Sequence, residues 1–188
     1  MDFDDEFADA LGRVPDAFVD RDRFVPAVGS LDADVVLAGE APGANEVEQG
    51  EPFVGRAGEV LDEVLQRIGV EREAVYITNL VKVRPPDNRD PTAEEIAAWK
   101  PVLDAELARV DPDTVVALGT FAAQQLLGTD QPISRIRGTV QRRDGRRILP
   151  TFHPAATLYD PDKRPVLEQD LRTAFGTSER GQTTLDDM

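Results

Sequence analysis

The chain has no cysteine. That absence excludes disulfides, thiolate metal sites and a cysteine nucleophile together. Histidine occurs once, at His153, and lysine only at Lys82, Lys100 and Lys163. No apolar run approaches the roughly 20 residues that a membrane-spanning helix needs. The first residues, Met1 to Asp9, are acidic instead of basic and apolar, so neither a signal peptide nor a membrane anchor is expected, and the cytoplasm is the simplest location. At 188 residues the chain is long enough for one well-buried domain and too short for two ordinary ones. Residues 1–175 are expected to form that domain. The polar segment 176–188 is expected to be a disordered tail.

What is abundant is negative charge, with a net value of -15 and a pI near 4.4. An averaged field of that sign repels a polyanionic partner. The balance also suits a halophilic protein, whose carboxylate-rich surface stays soluble in a salty cytoplasm, where screening leaves local contacts to decide. Acids crowd both ends of the chain. Between Gln131 and Pro150, by contrast, Arg135, Arg137, Arg142, Arg143, Arg146 and Arg147 stand against a single acid, Asp144. A basic patch on an acidic protein is a candidate phosphate-facing surface. Asp144-Gly145 inside it is equally a hairpin turn signal.

Four apolar runs recur, at Asp34–Ala38, Ala74–Ile77, Thr114–Leu118 and Arg147–Phe152, with helical patterns between them. Ala57–Ile68 places Val60, Leu61, Val64, Leu65 and Ile68 on one face. Thr92 followed by Glu95 is a capping box that opens a helix running towards Val110. Phe121–Leu127 and Val166–Phe175 supply two more helices. Alternation of this kind predicts an α/β fold, a three-layer αβα sandwich around a central four-stranded parallel sheet. Each strand ends in polar residues: Gly39-Glu40, Thr78-Asn79, Gly119-Thr120 and His153-Pro154. The carboxyl ends of parallel strands share one edge, so a glutamate, an asparagine and the sole histidine are expected to meet in one crevice.

The motifs GEAPGANE (Gly39–Glu46), PFVGRAG (Pro52–Gly58), TNLVKVRPPDNRDPTAEE (Thr78–Glu95), VALG (Val116–Gly119), ISRIRG (Ile133–Gly138) and TFHPAATL (Thr151–Leu158) follow one another in order. In this the chain resembles the uracil-DNA glycosylase superfamily, most closely its family 4. The resemblance implies hydrolysis of the N-glycosidic bond of deoxyuridine in DNA, with uracil-containing DNA as partner; no obligate protein partner is evident from the sequence, and a monomer is expected. It also implies a 4Fe–4S cluster. Here two of the four ligand positions read Val83 and Trp99, and the other two fall near Gly12 and Pro15. No cluster and no other cofactor or metal is therefore expected, and packing must brace the region instead.

The residues and the resemblance together assign the site as follows. Phe53 is the stacking wall for an extruded base, and Asn79 reads uracil through O4 and N3–H. Gly39 and Ala41 complete the base pocket. His153 donates to the negative charge that develops on uracil O2. Glu40 first, and Glu46 second, are candidates for positioning water and offsetting sugar cation charge. Arg56, Lys82, Arg84, Arg135 and Arg137 are expected to contact DNA, and Leu158 to fill the gap left by the flipped base. Two other classes of function stay open at this stage. One is a catalytically weakened homologue that only binds DNA or a nucleotide, and the other is a nucleoside-hydrolysing or nucleotide-binding metabolic enzyme. A glycosylase acting on another deaminated base is a further variant.

Overall fold

Residues 1–176 are described by the structure, a computed structural model. The expected tail at 177–188 lies outside the described residues. The strands are β1 (Val28–Gly29), β2 (Val35–Gly39), β3 (Tyr76–Asn79), β4 (Thr114–Leu118), β5 (Gln141–Arg143) and β6 (Arg146–Thr151). They form one sheet in the order β1-β3-β2-β4-β6-β5. The four inner strands run parallel, and both edge strands pair antiparallel. The expected four-stranded parallel sheet is thus the centre of a six-stranded mixed one. The additions are β1, only two residues long, and β5, whose Gln-Arg-Arg sequence carries no apolar pattern.

The helices are α1 (Phe3–Glu6), α2 (Ala8–Leu11), α3 (Ala44–Gln49), α4 (Gly55–Arg67), α5 (Ala93–Val110), α6 (Thr120–Leu127), α7 (Ile133–Ile136), α8 (Ala156–Tyr159) and α9 (Lys163–Gly176). Alternation along the strands decides which face they cover. Val35 and Leu37 of β2, Val116 and Leu118 of β4, and Leu149 of β6 join Val60, Leu61 and Val64 of α4 and Leu167 and Leu171 of α9. Val36, Ala38, Val115, Ala117 and Ile148, pointing the other way, join Trp99, Val102 and Leu107 of α5 and Ala122 and Leu127 of α6. Both faces are therefore apolar, which is why these strands read as continuous hydrophobic runs. The capping box at α5 forms as expected: the Glu95 N–H donates to Thr92 Oγ1 at 3.2 Å, and the Thr92 N–H to Glu95 Oε2 at 2.8 Å. The β5–β6 hairpin turns on Asp144 (φ 50°) and Gly145 (φ 79°), the double positive φ that a two-residue hairpin of this twist demands.

The lead-in before β2 is more than irregular chain. Phe3 and Phe7 are buried, and Phe3 lies 4.9 Å from Phe7 and 6.0 Å from Phe24, centroid to centroid. Phe24 in turn lies 6.0 Å from Trp99, which is only 1% exposed, and makes an antiparallel bridge with Val83. Arg21 stacks over the Phe24 ring at 4.7 Å. Val83 and Trp99, two positions where the resembled family holds iron, are thus bound into an aromatic brace. Near the other two, the Gly12 N–H closes α2 on Ala8, and Pro15 starts a single 3-10 turn. None of these four side chains offers iron a donor, so the residues present do not fit a cluster.

Truncating the centre of this brace, Trp99→Ala, is expected to cost about 3–5 kcal/mol of stability. Denaturant unfolding in concentrated potassium chloride measures it, and a loss below about 1 kcal/mol would show that the brace carries little.

Candidate functional site

The carboxyl ends of the inner strands do meet. A cavity of about 490 Å³ is lined by Ala41, Glu46, Phe53, Arg56, Asn79, Arg84 and His153, among others. Its floor depends on Gly39, the last residue of β2. A Cβ there would lie 2.5 Å from Asn79 Oδ1 and 2.6 Å from Phe53 Cζ, closer than real contacts allow. The bare Cα lets an aromatic face and an amide from different parts of the chain close on one point. Phe53 is buried at 4% exposure and packs on the α4 side of the core, so it is at once core residue and cavity wall. Its φ of 52° is unusual for a bulky residue, a conformation that costs on the order of 1–3 kcal/mol and needs outside support. Arg72 gives that support. Its Nη2 donates to the carbonyls of Pro52 (2.7 Å) and Phe53 (3.1 Å), and its Nη1 to Asp62 (2.6 Å).

His153 follows β6 and stacks against Phe53 at 5.4 Å between ring centroids, tilted by 31°. Burial pushes its pKa down to about 4, so the ring is neutral near pH 7. Part of the residue still faces open space, since it lines this cavity and a neighbouring one. The Ala155 N–H donates to Nδ1 at 3.1 Å, so the proton of the neutral ring sits on Nε2.

The two acids separate clearly. Glu46 Oε2 accepts from the Gly43 N–H at 3.1 Å, which ties it to the start of α3. Glu40 lines the neighbouring cavity, about 370 Å³, together with Asp90, Gly119, Thr120 and His153. Its pKa is raised to about 7, chiefly by burial, then by the charge of Asp90 and a hydrogen bond with it. Asp90 stands on the segment between β3 and α5. Next to it, Arg89 grips Glu95 of α5 through both carboxylate oxygens, at 2.8 and 2.9 Å. That grip, with Thr92, holds Glu95 down to about 2.

Lys82 does not face solvent. It is 1% exposed and paired at 2.6 Å with Glu106 of α5, itself 0% exposed. Its Nζ also donates to the main-chain carbonyl of Asn79 at 2.6 Å, while Thr78 (2.8 Å) and Tyr76 (3.1 Å) donate to Glu106 Oε1. Burial lowers the Lys82 pKa against the opposing pull of Glu106. The expectation that Lys82 contacts phosphate is therefore corrected: this lysine fixes the backbone beneath Asn79. Arg137 is likewise engaged, donating to Asp170 at 2.8 and 2.5 Å. Arg56 and Arg135 are exposed, and Arg84 is half-buried. Leu158 packs on the core from α8, whereas its neighbour Tyr159 is 90% exposed.

Sequence reasoning missed Asp90, Glu106 and Arg72. A mid-helix glutamate and a loop aspartate carry no local signal of what they meet across the fold. A larger cavity, about 660 Å³, lies between α1 and α5, but Asp5, Glu6, Asp9 and Asp104 line it and repel an anionic ligand. Among the described residues no group of three or more His, Cys, Asp or Glu is placed to hold a metal ion. No described helix is long and apolar enough to cross a membrane.

The family model described as the uracil DNA glycosylase superfamily matches residues 26–175. A type-4 uracil-DNA glycosylase of Archaeoglobus fulgidus is 42% identical over 175 residues, covering 89% of this chain and 88% of that protein. A type-4 uracil-DNA glycosylase of Thermotoga maritima is 41% identical over 160 residues, covering 83% of each. A type-5 uracil-DNA glycosylase of Pyrobaculum aerophilum is 36% identical, covering 71% of this chain and 66% of that protein.

Two measurements follow from the geometry. The single imidazole signal in an NMR titration is expected to move with a midpoint of about 4 instead of the ordinary 6.5. Between those values the unfolded chain binds the proton and the folded one does not, so the histidine's contribution to stability is lost as pH falls through that window. A midpoint at 6.5 would show that the ring is not crowded. Glu106→Gln, which leaves the Lys82 charge buried, is expected to cost about 3–5 kcal/mol in denaturant unfolding, with most of it recovered in Lys82→Met/Glu106→Leu.

Proposed function

The chain belongs to the uracil DNA glycosylase superfamily, and from that premise we propose that it hydrolyses the N-glycosidic bond of deoxyuridine in DNA, releasing uracil and leaving an abasic site. The observation that carries this reading is one cavity shared by Phe53, Asn79 and His153, in which Phe53 and Asn79 close on the bare Cα of Gly39 and His153 stacks on Phe53. A glycosidic bond inside duplex is out of reach, so the base must be extruded first, at a cost of a few kcal/mol. Phe53 offers the flat wall for it. The Asn79 amide donates to O4 and accepts from N3–H, a pairing that the reversed edge of cytosine refuses. Lys82, holding the Asn79 carbonyl, keeps that amide in register.

As the C1′–N1 bond breaks, negative charge collects on the departing uracil and positive charge on the sugar. The neutral His153, with its proton on Nε2, supports the first by donating to O2 without giving the proton up. Glu40 supports the second and orients the attacking water. Glu46, tied to the Gly43 N–H, serves instead to shape the turn that carries Ala41. No metal or cofactor enters these steps. Of the five cations expected to contact DNA, Arg56, Arg84 and Arg135 are those left to meet phosphate. On a protein of net charge -15 their contacts suit a salty cytoplasm, where screening confines repulsion to a few ångströms. A monomer acting alone completes this reading, with no obligate protein partner.

The test is release of uracil from a uracil-containing oligonucleotide in concentrated potassium chloride, read as strand breaks after cleavage of abasic sites. His153→Ala is expected to lower the rate by roughly 10²–10³-fold. Asn79→Ala is expected to lower discrimination against cytosine by about 1–3 kcal/mol. No breaks at high protein concentration, in high salt or low, would overturn the reading. Full activity in both variants would leave the activity standing and remove this site.

A further inference from the structure

Glu40 does not stand alone in its cavity. Asp90 comes to it from the β3–α5 segment, 50 residues further along the chain, and the two acids line one space with His153. We propose that Asp90 is the positioning residue of an acid pair with Glu40: it helps to set when Glu40 is ionised and carries to solvent the proton that Glu40 takes from the attacking water. The proposal rests on the glycosylase reading for its chemistry, and on the cavity alone for the pairing.

The two carboxyls differ in setting. Glu40 is half-buried at the foot of the crevice, while Asp90 is exposed. Water stabilises the charge of the exposed member, so a single proton shared between them rests on Glu40. The rise of Glu40 to about 7, to which both the charge of Asp90 and its hydrogen bond contribute, agrees with this order.

The groups facing Glu40 are few. From the β6–α8 segment comes His153, neutral above about pH 4. The β4–α6 corner brings Leu118, Gly119, Thr120, Phe121 and Gln124, none of them ionisable. On its own segment Glu46 is bound to Gly43, and beside Asp90 the guanidinium of Arg89 is held by Glu95. Asp90 is therefore the one charged partner lining that cavity.

The step balances without any further reactant. The water oxygen bonds to C1′ as the C1′–N1 bond breaks, and that bond's electron pair leaves with uracil. One water proton goes to ionised Glu40, which passes it to Asp90 and so to solvent. Half-buried Glu40 has one path for that proton beside the occupied crevice. Asp90 opens a second route, held in place by the Arg89–Glu95 grip on the same segment.

Two readouts test this on the full chain: carboxyl-carbon NMR titration of Glu40, and the pH profile of uracil release. In the wild type both are expected to change near pH 7, with activity rising as Glu40 ionises. Asp90→Asn removes the like charge and is expected to move both midpoints downward and to lower the plateau rate. Asp87→Asn, on the same segment but outside the cavity, should move neither. An Asp90→Asn titration that coincides with the wild type overturns the pair. A shifted titration with an unshifted rate profile overturns its part in the reaction. If the wild type releases no uracil while the Glu40 midpoint still moves, the glycosylase reading fails and the pairing stands.

Discussion

The site depends on a side chain that is not there. β2 ends at Gly39, and the space a Cβ would occupy is taken by the tip of Phe53 and the amide of Asn79. Each of these arrives at some cost. Phe53 stands at a backbone angle that bulky residues avoid, and Asn79 sits over a buried ion pair. Supports have grown around both: Arg72 holds the carbonyls at Phe53, and Lys82 holds the carbonyl of Asn79. The close approach thus sets the demands that arginine, lysine and Glu106 of α5 then meet.

Two kinds of burial do different work here. The apolar faces of the sheet give cohesion without direction, roughly in proportion to area. The polar contacts beneath the crevice give direction. Lys82, Glu106, Tyr76 and Thr78 form a small closed network in a region otherwise packed with hydrocarbon. Such a network adds little net stability compared with an apolar core of the same volume. Its value lies in fixing where the end of β3 sits, and with it the amide that faces the cavity.

Much of the architecture was legible because period and punctuation agreed. The inner strands, the long α5 with its Thr92–Glu95 box, and the hairpin at Asp144-Gly145 all carry local signals, and all form. The nearness of the strand ends follows from parallel pairing alone, but Glu40 lines a cavity beside the one that Asn79 shares with His153. The edge strands were not legible, since two residues of β1 show no period and Gln141-Arg142-Arg143 resembles a solvated surface. Lys82 misled for a physical reason: a lysine beside Arg84 and Pro85 looks like surface, and the partner that draws it inward lies on α5. Asp90 escaped notice because charge–charge distances across a fold leave no trace in spacing along the chain. The acids show the same limit, for nothing local told Glu46, tied to Gly43 at the cavity of Phe53 and Asn79, from Glu40, which lines the neighbouring cavity with Asp90.

The aromatic brace has a consequence beyond stability. Phe3, Phe24, Val83 and Trp99 join the first residues of the chain to the segment that carries Arg84, Arg89 and Asp90. A brace of rings and methyl groups has no oxidation state. It asks nothing of the cell's iron supply or of any assembly machinery, and it has no thiolate for an oxidant to attack. The segment beside the crevice is thus fixed by contacts that form as the chain folds and that redox chemistry does not switch.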